Sequence, residues 1–375
     1  MRTTMTIGLS LALGAGFATR LLWPGTILSR LNVLDLAVGL VVVIALVRHW
    51  RHITLGRWLS AWLALVALSA FWGAARFGWS PETFLYIVRV SVYGLFFGVA
   101  ARWPVEWRLK WLAWLGGGLA IIGLIQLVVW PTIPVSMGIT HGFDPHSGRL
   151  FGLWFDPNIA AALLMLTSLG TWSLVGRDQS WRRPWPYLGM LQLAAILLTD
   201  SRSGWISLAV ALGYLIYQIN RRWLLLLLAG AIMLPILSVG VANRLAGLLS
   251  VDDTVVARLV SWQTGWSVVE QSPLIGVGYN YFKPAAVESG GLKMFYGQIN
   301  LAANGSDSSL LTIWATTGLV GLLVFVAGLI GLGWHQREAA SRAALIGILI
   351  NSLFINSLLL GPTWFLLAII WGRED

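Results

Sequence analysis

SSLLTIWATTGLVGLLVFVAGLIGLGW, residues 308–334, contains no ionisable side chain. A stretch of about 18 or more apolar residues reads as a membrane-spanning helix. Residues 223–243 and 343–372 are equally free of charge. Across the 375 residues, 57% are hydrophobic and 11% charged, against ~25% charged in a soluble domain. The fold class is therefore an all-α polytopic membrane protein.

Working outward from that stretch, the pattern predicts twelve spans, near 4–19, 33–47, 58–75, 82–101, 111–130, 153–175, 185–199, 203–220, 223–242, 309–332, 343–360 and 362–372. The last two are alternatively one long helix broken at Gly361-Pro362. The whole chain reads as one integral membrane domain, with a long outward loop at 243–308. With the N-terminus inside, the short inner loops hold 15 of the 25 Lys and Arg, as the positive-inside rule requires. The net charge of +10 is thus a membrane signature, and nucleic acid is not expected as a partner. The 23 tryptophans gather near span ends as an interfacial belt. There are no cysteines, which excludes disulfides and thiol ligands. No spaced metal-ligand motif and no G-x-x-x-x-G-K-[ST] motif is present, so neither a metal, a cofactor nor an ATP-driven pump is expected.

Charges stand out where they interrupt this pattern. In TDSRSGW, residues 199–205, the turn between the seventh and eighth spans lies at the outer face. The seventh span has too few residues to fill a bilayer core of ~30 Å, which draws Arg202 below the surface. An arginine at depth costs ~2.5–3.5 kcal/mol unless paired. Asp200 across the turn is one partner; an anionic substrate is another. Arg149 either snorkels to head groups or joins the site, together with Asn158 in WFDPN. Arg258 is a loop arginine or a site residue, and Glu270 precedes SPLIGVGYNYF. Asp307 is a candidate N-cap of the tenth span or a candidate base. Arg89, deep in the fourth span, pairs with Glu82 or Asp35 or touches substrate. His141 and His146 read as solvated loop residues. Several guanidinium forks beneath the outer leaflet suit a lipid-linked diphosphate. Glycosyl transfer from such a donor needs the leaving diphosphate stabilised and an acceptor hydroxyl deprotonated.

Four stretches taken together are more specific. RLFGLWFDPNIAAALL (149–164), TDSRSGWISLAVA (199–211), RLVSWQTGWSVVEQSPLIGVGYNYF (258–282) and DSSLLTIWATTGLVGLL (307–323) resemble, in order, the O-antigen ligase and Wzy-type polymerase superfamily. The resemblance implies a metal-independent GT-C-like membrane glycosyltransferase at the periplasmic face of the bacterial inner membrane. It also implies an undecaprenyl-diphosphate-linked oligosaccharide substrate and a chain-length regulator as a partner. It places the family's arginines on Arg202 and Arg258. Ligases acting on lipid A–core carry His-Asn eleven residues ahead of the first glycine of a G-x-x-G. Here that position, counted back from Gly318, is Asp307, followed by Ser308. This departure favours a polymerase over a ligase. A flippase for lipid-linked sugars is the reading from another class, but no pseudo-repeat is visible.

Overall fold

The computed structural model describes residues 2–16, 18–22, 31–49, 56–133, 146–178, 180–220, 253–290, 294–295, 298–299, 305–334, 336 and 338–372. Its helices are α1 (Arg2–Gly14), α2 (Ala18–Leu22), α3 (Val33–His49), α4 (Arg57–Phe77), α5 (Pro81–Ala100), α6 (Val105–Val129) and α7 (Pro157–Asp178). They continue with α8 (Trp185–Leu198), α9 (Arg202–Asn220), α10 (Asp253–Gln271), α11 (Phe282–Glu288), α12 (Ser309–Gly333), α13 (Ala339–Phe354) and α14 (Gly361–Ile370). A small hairpin pairs β1 (Met294–Phe295) with β2 (Gln298–Ile299). Among the described residues, α4, α5, α6, α7 and α12 are long and apolar enough to cross a membrane. The predicted span 223–242, and His141, lie outside the described residues; every other predicted span overlaps at least one helix.

Three expectations are corrected. The first span divides into α1 and α2 around Gly16, whose φ is +55°; a Cβ there would collide with Leu153 O. The span predicted at 343–360 ends at Phe354, and residues 355–360 leave the helix before α14 begins at Gly361-Pro362. The segment 243–308 is not without structure of its own, because α10 runs through it.

The bundle is built around α7 and α14. Nearly every residue of α7 from Pro157 to Leu174 is buried, and all ten of α14 are. A helix apolar on all sides belongs in the core of a bundle. Ten residues rise only about 15 Å, half of a ~30 Å bilayer core. Aromatic packing fills the depth that α14 occupies: Phe365 stacks on Phe96 at 5.4 Å, and Trp371 tilts against Phe97 at 6.3 Å. At its N-terminal end the core opens instead into a cavity.

The 309–333 helix is discontinuous. Gly318 has φ +72° and ψ 179°, which opens the ladder beside Thr316 and Thr317. The freed groups find partners in the 272–281 segment, as non-helical backbone at membrane depth requires. Val277 N–H donates to Ala315 O (2.9 Å) and Gly278 N–H to Thr316 O (3.0 Å). In return, Leu319 N–H donates to Pro273 O at 2.9 Å. Gly276 and Gly278 hold positive φ where side chains would strike Thr316 and the Gly73 backbone. The threaded turn thereby carries Tyr279 and Asn280 into the bundle.

Candidate functional site

A cavity of about 470 Å³ lies at the end of the bundle where α3, α5, α7, α9, α12 and α14 begin. Arg89, Arg149, Arg202 and Arg258 line it, together with Glu82, Asp156, Asp200 and Asp307. Four cations face four carboxylates. Each helix start adds the positive end of its dipole, which favours anions.

The motif around Arg202 explains itself locally. Ser201 is the cap of α9: its Oγ accepts from Gly204 N–H at 3.2 Å. The same hydroxyl donates to Asn158 Oδ1 at 2.7 Å, and Asn158 also lines the cavity. A Cβ on Gly204 would sit 2.5 Å from Ala161 Cβ, so glycine lets α9 lie close against α7. Arg202 is then the first residue of α9, half-buried, at the positive end of a helix dipole. Asp200 before it holds φ +55°.

The opposing strap is set by Arg149 and Asp156. Arg149 Nε donates to Thr199 O (3.0 Å) and Nη2 to Asp200 O (2.9 Å), bracing the turn that presents Arg202. Arg149 thus lines the cavity and ties two walls together, rather than merely snorkelling. Asp156 caps α7, its Oδ1 accepting from Asn158 N–H at 2.7 Å and Ile159 N–H at 3.3 Å, with Pro157 at the first helical position. The buried Gln126 on α6 accepts from Phe151 and Gly152 N–H at 2.8 and 3.0 Å. That fixes the strap on the bundle.

Arg258 reaches the cavity on α10, which was not foreseen as a helix. Three residues on its inward face divide the work at helical spacing. Arg258 lines the cavity; the buried Ser261 accepts from Asp307 N–H at 2.8 Å; Gly265 lets Leu311 approach, where a Cβ would meet its Cδ2 at 2.6 Å. Asp307 and Arg258 therefore enter the site through one contact. Asp307 is not the cap of α12; Ser308 is, its Oγ accepting from Leu311 N–H at 3.3 Å. Asp307 itself lines the cavity. Glu270 sits exposed near the end of α10 and is not among the lining residues.

Arg89 lines the cavity while bound to Asp35, with Nε donating to Oδ2 at 3.0 Å and Nη2 also engaged there. Tyr93 donates its hydroxyl to Asp35 Oδ1 at 2.8 Å. The choice left open between Glu82 and Asp35 thus includes Asp35. His146 is not simply solvated: it lines the cavity, and its Nδ1 lies 3.5 Å from Arg149 Nη1. Burial holds its imidazole below its ordinary range; Asp156 pulls the other way, and Arg149 adds to the lowering.

Sequence reasoning missed Glu82 and His146 as lining groups, and it saw Asp156 and Asp200 only as outer-face charges without a role in the site. A signal existed for the two aspartates. Among the described residues, Phe155, Asp200 and Asn280 are the non-glycine residues with positive φ. Asp200 and Asn280 line the cavity, and Phe155 precedes Asp156. Costly backbone of this kind collects at functional sites. Among the described residues, no group of three or more His, Asp or Glu is disposed to hold a metal.

Chemically, the site can hold an anion between guanidinium groups and helix N-termini, with a carboxylate beside it. No curated protein matches the chain. Residues 187–326 match the family model described as O-antigen ligase. That segment runs from α8 into α12 and so contains Arg202, Arg258 and Asp307. The match covers less than half of the chain and takes in three of the four stretches that carry the resemblance to the O-antigen ligase and Wzy superfamily.

Proposed function

We propose that this protein is a membrane glycosyltransferase that polymerises undecaprenyl-diphosphate-linked oligosaccharide repeat units into O-antigen or exopolysaccharide. The cavity end faces the periplasm of a bacterial inner membrane, and Arg108, Lys110, Arg177 and Arg342, at the opposite helix ends, mark the cytoplasmic end. Arg202 and Arg258 grip the donor diphosphate, and Arg149 holds the turn that presents Arg202. Asp307 takes the proton from a hydroxyl at the non-reducing end of the acceptor repeat. That oxygen forms the new bond to the donor's anomeric carbon as the bond from that carbon to the diphosphate breaks. The chain-bearing product stays on its carrier for the next round, and a chain-length regulator is a natural partner. What carries this reading is the gathering of Arg202, Arg258 and Asp307, far apart in sequence, around one cavity at helix N-termini.

The ligase reading is kept because the matching family model is described as O-antigen ligase. Against it stands Asp307, where ligases of the family carry histidine. The test is purified protein in liposomes supplied with lipid-linked repeat units. Long chains on the lipid carrier support the polymerase. Transfer only to an added lipid A–core acceptor makes it a ligase. Flipping without new glycosidic bonds rejects both.

A further inference from the structure

The cavity has walls of two kinds. One, from the 146–158 strap, the 199–202 turn and α10, carries Arg149, Arg202 and Arg258. The other comes from the first turns of α3 and α5, the 279–280 turn and the 355–361 segment. These pieces belong together: α14 packs on α5 and α3, and Asn280 Nδ2 donates to Thr83 Oγ1 at 3.3 Å. On this wall the guanidinium of Arg89 is engaged by Asp35, and Glu82 is the carboxylate. The rest is neutral and rich in amides and phenols: Asn32, Tyr86, Tyr279, Asn280 and Asn356.

Asn356 is the informative member. It lines the cavity, yet its Oδ1 is buried and makes no hydrogen bond. A buried acceptor without a donor is costly, so such groups are kept where a partner arrives. Ser357 Oγ, in the same break between α13 and α14, and Thr363 Oγ1, in the first turn of α14, are orphaned as well. Side-chain amides both donate and accept, as a sugar hydroxyl does. Tyr86 adds an aromatic body with a polar tip, one face of which lies 5.3 Å from the Arg89 guanidinium carbon. Nothing on this wall suits a second phosphate.

We propose that this wall is the acceptor subsite, taking a neutral, hydroxyl-bearing glycan terminus while the arginine wall takes the diphosphate. The assignment rests on the glycosyltransferase reading above. The full-length protein in nanodiscs is titrated with two probes: lipid-free repeat oligosaccharide, and undecaprenyl diphosphate bearing no sugar. Asn356→Ala and Tyr86→Leu, on separate elements, each weaken oligosaccharide binding about 10-fold and leave undecaprenyl diphosphate within about twofold of wild type. Oligosaccharide affinity unchanged in both variants overturns the proposal. So does joint loss of both ligands in both variants, which makes the wall merely structural. Wild type that binds the diphosphate lipid but no oligosaccharide sinks this proposal alone. Wild type that binds neither sinks the glycosyltransferase reading with it.

Discussion

Arg108 and Arg202 are both withdrawn from water at opposite ends of the bundle, and they are held in opposite ways. Arg108 is 2% exposed and saturated. Its guanidinium donates to Trp103 O (3.0 Å), Ile369 O (2.7 Å), Ile370 O (3.3 Å) and Gly372 O (2.6 Å). It sits at the C-terminus of α14, where a cation meets the negative end of the dipole and the unpaired last carbonyls. Arg202 starts a helix, where the dipole disfavours it by ~0.3–1 kcal/mol. It stands at a cavity, behind a strained turn braced by Arg149. An arginine that completes a helix end is structural. Arg202, the first residue of α9, instead lines a cavity together with Arg89, Arg149 and Arg258.

The largest expected effect breaks the two apart by activity. Arg202→Ala or Arg258→Ala lowers polymer formation about 100-fold or more, as loss of a charge-stabilising donor does. The thermal midpoint stays at the wild-type value. Chain length on membranes from a strain lacking the native enzyme reads the first, and a melting curve the second. Arg108→Ala gives the reverse: it costs about 3 kcal/mol of stability through uncapped carbonyls and a buried void, while the folded fraction keeps its turnover. Denaturation of both variants in parallel decides whether the contrast holds.

Gly318→Ala probes the broken helix that supplies the 279–280 turn. A side chain there meets positive φ and the Leu274 carbonyl, so about 2 kcal/mol or more is lost. Gly8→Ala, inside α1 with open space around it, is the control in the same assay and gains up to about 1 kcal/mol. Ser201→Ala is milder. It removes a helix cap worth about 1 kcal/mol and frees Asn158, so turnover falls about 10-fold. Thermal shift and initial rates measured together separate the two contributions.

The smallest effect is in pH. The folded pKa of His146 lies below its ordinary value of 6.5, so between the two the unfolded chain binds more protons. Stability therefore rises with pH through that window and is full above it. His146→Gln flattens the slope of thermal midpoint against pH just below 6.5, leaving values at pH 8 alike.

Much of the fold was legible because apolar runs carry their own length signal. What escaped was whatever breaks helical order without changing hydropathy. Residues 309–333 are continuously apolar, so the opening at Gly318 left no mark. α10 mixes Arg258, Glu270 and apolar residues and reads as a loop, although Arg258, Ser261 and Gly265 share one face. Asp307 and Ser308 are both good caps, and only the chain path set by Ser261 decides between them. The arginines at 202 and 258 were visible as costly charges. Asp156 and Asp200 were visible too, as outer-face charges, but their place in the cavity was hidden behind ordinary local duties in a cap and a turn.

The central claim is that Arg202 and Arg258 form one diphosphate-holding site. It is tested most directly by the affinity of undecaprenyl diphosphate for wild type, Arg202→Ala, Arg258→Ala and the double variant. Each single change weakens binding about 10-fold or more, and the double variant falls short of the sum because the two share one ligand. Equal affinity in all four proteins, with each folded, would contradict the account.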